Sequence, residues 1–362
     1  MLTRTFFLNT FKLIHNMLIQ QNNQFSIVDF TGTHDKLPVG TYRLRQDPKT
    51  EEYYLIQTED FTLPSKLYGN FNHVDRILNT FNSGNKNLGV LFIGTKGSGK
   101  SIDAKQLCIK SKMPVILIDK GTDHPNLISF LATPELGSCV VFIDEYEKLF
   151  SEPKDIDETV MLQLLDGATN MRHLFILTCN ESRSFNSNLI NRPSRIYYRK
   201  VYGSLADEII NDVIDAELQY PERKEELLKV LNRFSDVTFD ILMSMIKEIN
   251  LYNESPEDVI KIMNFSPESV MVKVAQVLEN GELVDATYTS FLELSDPSEG
   301  FTVKNYDYEP KRENDTRDWI YDEIPITDLV RVNRNTWEYK KTTKSGKVFH
   351  WIITKSTLSL TL

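Results

Sequence analysis

The sequence has few cysteines, no excess of positive charge and no long apolar run. Its 362 residues contain three cysteines, an odd number without a CxxC pair or a zinc-binding spacing, which argues against a disulfide framework. All three lie in apolar runs, a pattern that favours buried thiols in a reducing compartment, so we expect a cytoplasmic protein. The formal net charge of −10 lacks the basic excess typical of a dedicated nucleic-acid-binding protein.

No apolar run reaches the ~20 residues that a membrane-spanning helix needs, so we expect no transmembrane segment. Residues 1–20 are fairly apolar, but Arg4, Lys12 and His15 interrupt them. Their apolar side chains recur at helical spacing, which predicts an amphipathic helix packed on a domain or on a neighbouring subunit. The overall hydrophobic fraction of 41% is ordinary for a soluble globular protein with a sizeable core.

The first half of the chain changes character near residue 62. Residues 1–62 combine the N-terminal helix with short strand-like runs, which predicts a small α+β N-terminal domain. In residues 63–203, apolar strands alternate with helical patterns, which is typical of an α/β layer with a parallel sheet. The predicted strands in this part lie at residues 89–93, 115–118, 139–143 and 174–178.

The second half contains two further predicted domains. Residues 204–265 read as four helices, with a capping box proposed from Ser204 to Asp207 and a cap with a following proline at Ser255 and Pro256. Residues 266–362 are β-rich, and their clearest element is a hairpin with strands at residues 336–343 and 348–354.

One loop carries the strongest functional signal. It matches the pattern G-x-x-x-x-G-K-[ST] in full, after a predicted strand and before a predicted helix, as a phosphate-binding loop requires. Its glycines let backbone N–H groups surround a phosphate chain, Lys100 can reach the outer phosphates, and the hydroxyl of Ser101 can ligate Mg²⁺. The residues predicted to bind ATP are Gly94, Thr95, Lys96, Gly97, Ser98, Gly99, Lys100 and Ser101.

Two further strands end in polar side chains. The run at 139–143 leads into Asp144, predicted to hold Mg²⁺, and Glu145, predicted to polarise the attacking water as general base. The run at 174–178 leads to Asn180, whose amide could orient that water or contact the γ-phosphate. Farther on, Arg192 and Arg195 lie in a proline-containing turn, where arginines suit bidentate contact with phosphate.

Together these motifs resemble the AAA family of AAA+ ATPases over roughly residues 63–265. The resemblance identifies the Walker A loop, the Walker B strand, the sensor-1 position at Asn180 and arginine-finger positions at Arg192 and Arg195. It implies an AAA+ P-loop NTPase core, in which helices flank a parallel sheet, with a helical lid. The stretches 164–167, 174–180, 189–195 and 201–203 are most similar to Bcs1-type members.

The resemblance also implies a ring, usually a hexamer, with ATP bound between neighbouring subunits. Arg192 and Arg195 would act in trans, and Tyr68 and Gly69 would lie beside the nucleotide. Two departures concern function: residues 120–130 show no aromatic–hydrophobic–glycine pore loop, and the lid shows no clear sensor-2 arginine. Threading of a polypeptide by the usual grip is therefore not expected from this segment.

Three functions fit these features. The first is an ATP-driven ring that remodels or translocates a protein or protein complex. The second is a loader or helicase-like ring that acts on nucleic acid through residues 331–355, where aromatic and basic side chains alternate. The same alternation is also typical of an ordinary hairpin with one core face and one solvated face. The third is a structural ring with ATP as an assembly switch.

Overall fold

The computed structural model describes most of the chain. For residues 15–21 and 24–30 the description is limited to the backbone. The remaining described residues are 34–47, 49–50, 52–119, 126–150, 158–169, 171–180, 189, 191–267, 269–286, 290–292, 294–295, 300–307, 320–333 and 335–356.

The first described residues form a β-hairpin. Strand β1 (His15–Gln21) pairs antiparallel with β2 (Gln24–Phe30). The helix predicted over residues 1–20 is therefore wrong from His15 onward, and its first 14 residues lie outside the described part. Pairing between β1 and β2 satisfies backbone N–H and C=O groups of both strands. The spacing of apolar residues within one strand does not reveal that such a partner exists.

A seven-stranded sheet forms the centre of the molecule, in the order β4-β3-β6-β7-β8-β5-β9. All neighbours in it are parallel except β3 and β4. Its strands are β3 (Thr41–Gln46), β4 (Tyr53–Thr58), β5 (Leu88–Gly94), β6 (Val115–Leu117), β7 (Val140–Ile143), β8 (Leu174–Cys179) and β9 (Tyr198–Tyr202). Helices α1 (Asn72–Ser83), α2 (Lys100–Ser111), α3 (Leu127–Leu131) and α4 (Glu158–Leu165) accompany it. The predicted parallel sheet flanked by helices is confirmed.

Strands β3 and β4 extend this central sheet, although they were expected in a separate N-terminal domain that ends at residue 62. Thr41 pairs with Val115 at the start of β6, and Leu44 is fully buried in the core beneath the sheet. The added strands cover an edge of β6 that would otherwise carry unpaired backbone groups. The sheet therefore begins about twenty residues before the predicted boundary.

Four helices follow the sheet and enclose a core of their own. They are α5 (Asp207–Glu217), α6 (Lys224–Asn232), α7 (Phe239–Tyr252) and α8 (Pro256–Ile262). The Ser255 hydroxyl accepts the Asp258 N–H at 3.2 Å, so that cap is confirmed. The Ser204 cap is wrong, because α5 begins only at Asp207 and the Ser204 hydroxyl accepts the Val237 N–H instead.

The C-terminal strands form one sheet in the order β11-β10-β17-β16-β15, with β12 paired to β10, and a two-stranded sheet of β13 and β14. The predicted hairpin is present as β16 and β17. The strands are β10 (Val270–Val277), β11 (Leu283–Asp285), β12 (Ser290–Leu292), β13 (Gly300–Asn305), β14 (Ile320–Pro325), β15 (Val330–Asn333), β16 (Thr336–Thr342) and β17 (Val348–Lys355).

Side chains of β15 and β16 attach this sheet to the helical lid, which consists of helices α5 to α8. The indole N–H of Trp337 donates to the Asn232 carbonyl at 2.8 Å. The guanidinium of Arg331 donates to Ser204 at 3.2 Å and forms an ion pair with Asp207 at 3.3 Å. Because Trp337 is fully buried and Arg331 is 8% exposed, the lid and the C-terminal sheet share a packed contact.

The lengths and apolar content of the described helices were compared with what a membrane-spanning helix needs. None of the helices there combines the length and the apolar character that a bilayer crossing requires. The atypical segment 120–130 can be described only in part, because residues 120–125 lie outside the described part and α3 occupies Leu127–Leu131.

Candidate active site

The phosphate-binding loop joins β5 to α2. Gly97 and Gly99 have φ angles of 74° and 97°, the left-handed region that side chains disfavour. A Cβ on Gly97 would also lie 2.5 Å from a carboxylate oxygen of Asp240 in α7. Glycine is therefore required for the path of this loop and for its contact with the lid.

Polar groups of the loop fit a phosphate chain. The Lys100 ammonium donates to the carbonyls of Gly94 at 2.8 Å and Thr95 at 2.7 Å. The side-chain hydroxyls of Thr95 and Ser98 are buried and have no hydrogen-bond partner among the described residues. Buried hydroxyls normally find a partner, so two unused donors in the loop that precedes α2 suit the oxygens of a bound phosphate.

The acids after β7 lie at the carboxyl end of the sheet, where ligands bind in α/β folds. Thr178 in β8 holds both of them: its hydroxyl donates to Asp144 at 2.5 Å and accepts the Glu145 N–H at 2.9 Å. Glu145 has a φ of 52°, an unusual backbone conformation for a residue with a side chain. Such strain is held only where the surroundings impose it, and here Thr178 contributes.

The Asn180 amide connects two acids. It donates to Glu145 at 3.0 Å and to Glu147 at 3.0 Å, and the Asn180 N–H also donates to Glu147 at 3.1 Å. The structure therefore brings the predicted residues Asp144, Glu145 and Asn180 together. Glu147 was missed in the sequence, although an acid two residues after Glu145 was a usable signal.

The ammonium groups of Lys148 and Lys100 lie near the acids after β7, and the pKa values of Glu145 and Lys100 are shifted. Lys148 forms a hydrogen-bonded ion pair with Glu145. This hydrogen bond lowers the pKa of the Glu145 carboxyl, burial opposes the shift, and the bond from Asn180 adds to it. Burial lowers the pKa of the Lys100 ammonium, and the nearby carboxylates of Asp144 and Glu147 act in the opposite direction.

The two predicted arginine fingers differ in their surroundings. Arg195 is buried and donates to Asp166 twice, at 2.8 and 2.6 Å, and these bonds lower the pKa of the Asp166 carboxyl. Arg192 is exposed. Arg195 is therefore engaged within its own subunit, and Arg192 is the one presented at the surface.

A comparison with known protein families agrees with the geometry of this site. Residues 90–201 match the model of the ATPase family associated with various cellular activities (AAA). The chain contains an AAA domain. Its enzymatic activity is that of an ATPase, and the matched stretch includes the phosphate-binding loop, the acids after β7, Asn180 and both arginines.

Similar solved structures include the Thermotoga maritima RuvB Holliday junction branch migration motor. That match has 15% sequence identity and a TM-score of 0.41, and it covers 56% of this chain and 72% of the other. A substituted form of the same protein matches with 14% identity, a TM-score of 0.41 and the same coverage. Similarity this distant carries no information on the function of this chain. No curated protein matches it.

A cleft of about 820 Å³ lies between the AAA domain and the lid. Tyr68 and Gly69, expected beside the nucleotide, line it together with residues 97–103 of the loop and helix α2. The Tyr68 hydroxyl donates across the cleft to Glu217 of α5 at 2.5 Å, and burial, followed by Glu217, raises the pKa of Tyr68 to about 12. Phe239 of α7 lies 6.5 Å from the Tyr68 ring.

A buried carboxylate fixes the first turn of α2. Asp103 is 2% exposed and accepts hydrogen bonds from His73 at 2.7 Å, from Lys200 at 2.7 Å and from the Tyr202 hydroxyl. Burial would raise the pKa of Asp103, but these bonds outweigh it and lower that pKa. The helix turn that carries Ser101 is thereby tied to α1 and β9.

Thr178 gives the first testable prediction. Replacing it by valine keeps the shape but removes the hydroxyl that holds Asp144 and Glu145. A hydrogen bond to a charged group contributes about 1.5–3 kcal/mol, so we expect kcat to fall by about 10- to 100-fold while ATP affinity changes little. Steady-state kinetics and nucleotide titration measure this.

Thr169→Val is the matched control for this prediction. The Thr169 hydroxyl is also buried and donates to the Met171 carbonyl at 2.9 Å, so its loss tests the removal of a hydroxyl away from the acids. Full turnover in the folded Thr178→Val variant would show that the hydroxyl does not position Glu145.

Proposed function

We propose that the chain is a ring-forming ATPase that couples hydrolysis at subunit interfaces to the remodelling or translocation of a protein or protein complex. The family resemblance implies six subunits. In this proposal, Arg192 of one subunit completes the ATP site of its neighbour, and turnover depends on assembly.

The position of the arginine turn is the observation that carries this proposal. The Tyr197 N–H donates to the Gly89 carbonyl at 2.9 Å, and a Cβ on Gly89 would lie 1.9 Å from the Arg195 carbonyl. The turn thus adjoins the start of β5, whereas the phosphate loop leaves its end at Gly94. Those ends are about 16 Å apart along a strand. An exposed Arg192 there is better placed for a neighbour's phosphate than for its own.

Exposed apolar side chains along the edge strand β9, which follows this turn, support an interface with a second copy. Tyr197 is 57% exposed and Val201 is 61% exposed, although both belong to or border the edge strand β9. Large apolar side chains beside an exposed arginine suit the core and rim of a protein interface.

The residues of the site divide the chemistry of hydrolysis between them. Lys100 and the loop N–H groups would hold the phosphates, and Ser101 and Asp144 would be ligands for Mg²⁺, which would supply positive charge to neutralise the phosphate chain. Sites of this kind use one or two protein ligands and phosphate oxygens. Glu145 would accept the proton of the attacking water, and Asn180 would orient that water.

The nucleic-acid alternative receives little support from the C-terminal hairpin. Trp337 and Trp351 are fully buried, and Tyr339 and Phe349 are 9% and 8% exposed, so these rings face the core and leave no stacking platform. Most of the basic residues pair with acids of this chain: Arg331 with Asp207, Lys340 with Glu338, Lys341 with Asp322 and Lys347 with Glu279. Arg334 lies outside the described residues.

A comparison of ATPase rates with and without single-stranded DNA tests this choice. We expect no stimulation, because the aromatic rings of the hairpin are buried and most of its lysines are paired with acids of the same chain. Lys340→Ala and Lys344→Ala, which remove exposed lysines, should leave the rates with DNA unchanged. Stimulation by DNA that disappears in either variant would favour the nucleic-acid function and contradict the protein-client proposal.

Two finer expectations belong to the same proposal. The similarity to Bcs1-type members is proposed for residues 164–167, 174–180, 189–195 and 201–203 only, and it is not extended to their membrane-linked function. A cytoplasmic location is proposed because Cys108, Cys139 and Cys179 are buried and none of the three is in a disulfide. A structural ring with ATP as an assembly switch is disfavoured by the well-positioned base, Glu145.

A further inference from the structure

Both carboxylate oxygens of Glu145 are occupied by donors from the same subunit. Oε1 accepts the Asn180 amide at 3.0 Å, and Oε2 accepts the Lys148 ammonium. Asn180 belongs to the proposed water-orienting machinery, but Lys148 has no role in the mechanism described above. Its position next to the reacting oxygen therefore calls for an explanation.

The backbone aims Lys148 at Glu145. The Lys148 N–H donates to the Glu145 carbonyl at 2.8 Å, which closes a tight turn and brings the two side chains to the same side. Tyr146 and Leu149 anchor this turn in the core with 2% and 3% exposure. The Lys148 side chain itself is 49% exposed. The turn is thus fixed, while the ammonium at its surface has room to leave.

Hydrolysis requires that a lone pair of the Glu145 carboxylate points at the attacking water. As the water oxygen bonds to the γ-phosphorus and the bond to the leaving phosphate oxygen breaks, one water proton moves to the Glu145 carboxylate. An oxygen whose lone pair is held by an ammonium is less available for this transfer.

We propose that Lys148 is a positioning residue that restrains Glu145 and keeps the basal rate of ATP hydrolysis low. The proposal rests on the assignment of Glu145 as the base in the proposed function. Departure of the exposed ammonium from Oε2 releases the base, so the rate of each site depends on where the Lys148 side chain lies.

The test is the kinetics of Lys148→Met in the whole 362-residue chain. We expect kcat to rise about two- to fivefold, the factor that corresponds to the strength of an exposed ion pair, while KM and ATP affinity stay close to their parental values. Lys148→Arg keeps a cation at the same place, so most of the increase should disappear. A merely structural role would lower the melting temperature and would not raise kcat.

Lys261→Met is the matched control. Lys261 pairs with Asp258 at 2.9 Å with the same i,i+3 spacing on α8, away from the site, and its loss should not change kcat. In the double variant Glu145→Gln and Lys148→Met, the increase should vanish, because the effect acts through Glu145.

The outcomes separate the two proposals. A kcat of Lys148→Met that is unchanged or lower in a folded protein overturns the restraint, provided that Glu145→Gln alone stops turnover. Parental turnover in Glu145→Gln alone overturns the assignment of the base, and with it the proposed function of Glu145.

Discussion

Replacing Glu145 by glutamine is expected to stop turnover almost completely while the protein still binds ATP. The amide keeps the shape and can still accept the Asn180 hydrogen bond on Oε1, but it cannot take up a proton. Loss of a general base costs about 10²- to 10⁴-fold in rate. Single-turnover hydrolysis and nucleotide retention on the purified protein measure both parts.

The matched control is Glu135→Gln, which makes the same change on an exposed acid outside the site. We expect parental turnover there. Undiminished hydrolysis in Glu145→Gln would mean that another group accepts the proton. Glu147 would then be the next candidate, since Asn180 contacts it as well.

Replacing Arg192 by alanine is expected to reduce hydrolysis by about 10³-fold, the contribution typical of an arginine finger, with ATP binding nearly intact. The reason is that the exposed guanidinium would serve the site of the next subunit. Arg76→Ala removes another exposed arginine, on α1 and outside the turn, and should have no such effect.

Mixing two inactive variants tests the trans arrangement directly. In a ring, an Arg192→Ala subunit keeps its own loop and base, and a neighbouring Glu145→Gln subunit can supply its intact Arg192. Such mixed rings should regain part of the activity that neither variant has alone. A purified chain that is fully active as a monomer, or mixtures that regain nothing, would contradict the shared site.

Arg192 and Arg195 have different surroundings in the folded chain, although they lie three residues apart in the same turn. Both arginines fit the same family positions, and the sequence offered no means of separating them. Asp166 lies 29 residues before Arg195, so their bidentate pair depends on how α4 and the turn before β9 pack. Only the folded chain reveals which arginine is engaged internally and which is exposed.

In the C-terminal hairpin too, contacts with other elements decide which face is buried. Alternation of aromatic and basic residues predicts a strand with two unlike faces, but it does not say which face meets another layer. The lid supplies a carbonyl for Trp337, and β13 supplies one for Trp351 through Lys304. These contacts turn the aromatic face inward, so the surface available to a partner is the opposite one.

The sequence by itself determined the sheet type, the phosphate-binding loop and the acids after β7, because each depends on residues that are adjacent in the chain. The phosphate-binding pattern is complete within residues 94–101, and a buried strand that ends in Asp144 and Glu145 presents both at the same edge. The tertiary structure alone decided that β3 and β4 join the sheet and that Thr178 holds the acids. It also decided that Lys148 occupies the oxygen of the proposed base. These features depend on side chains and strands meeting in space, and a pattern along one chain does not record such distances.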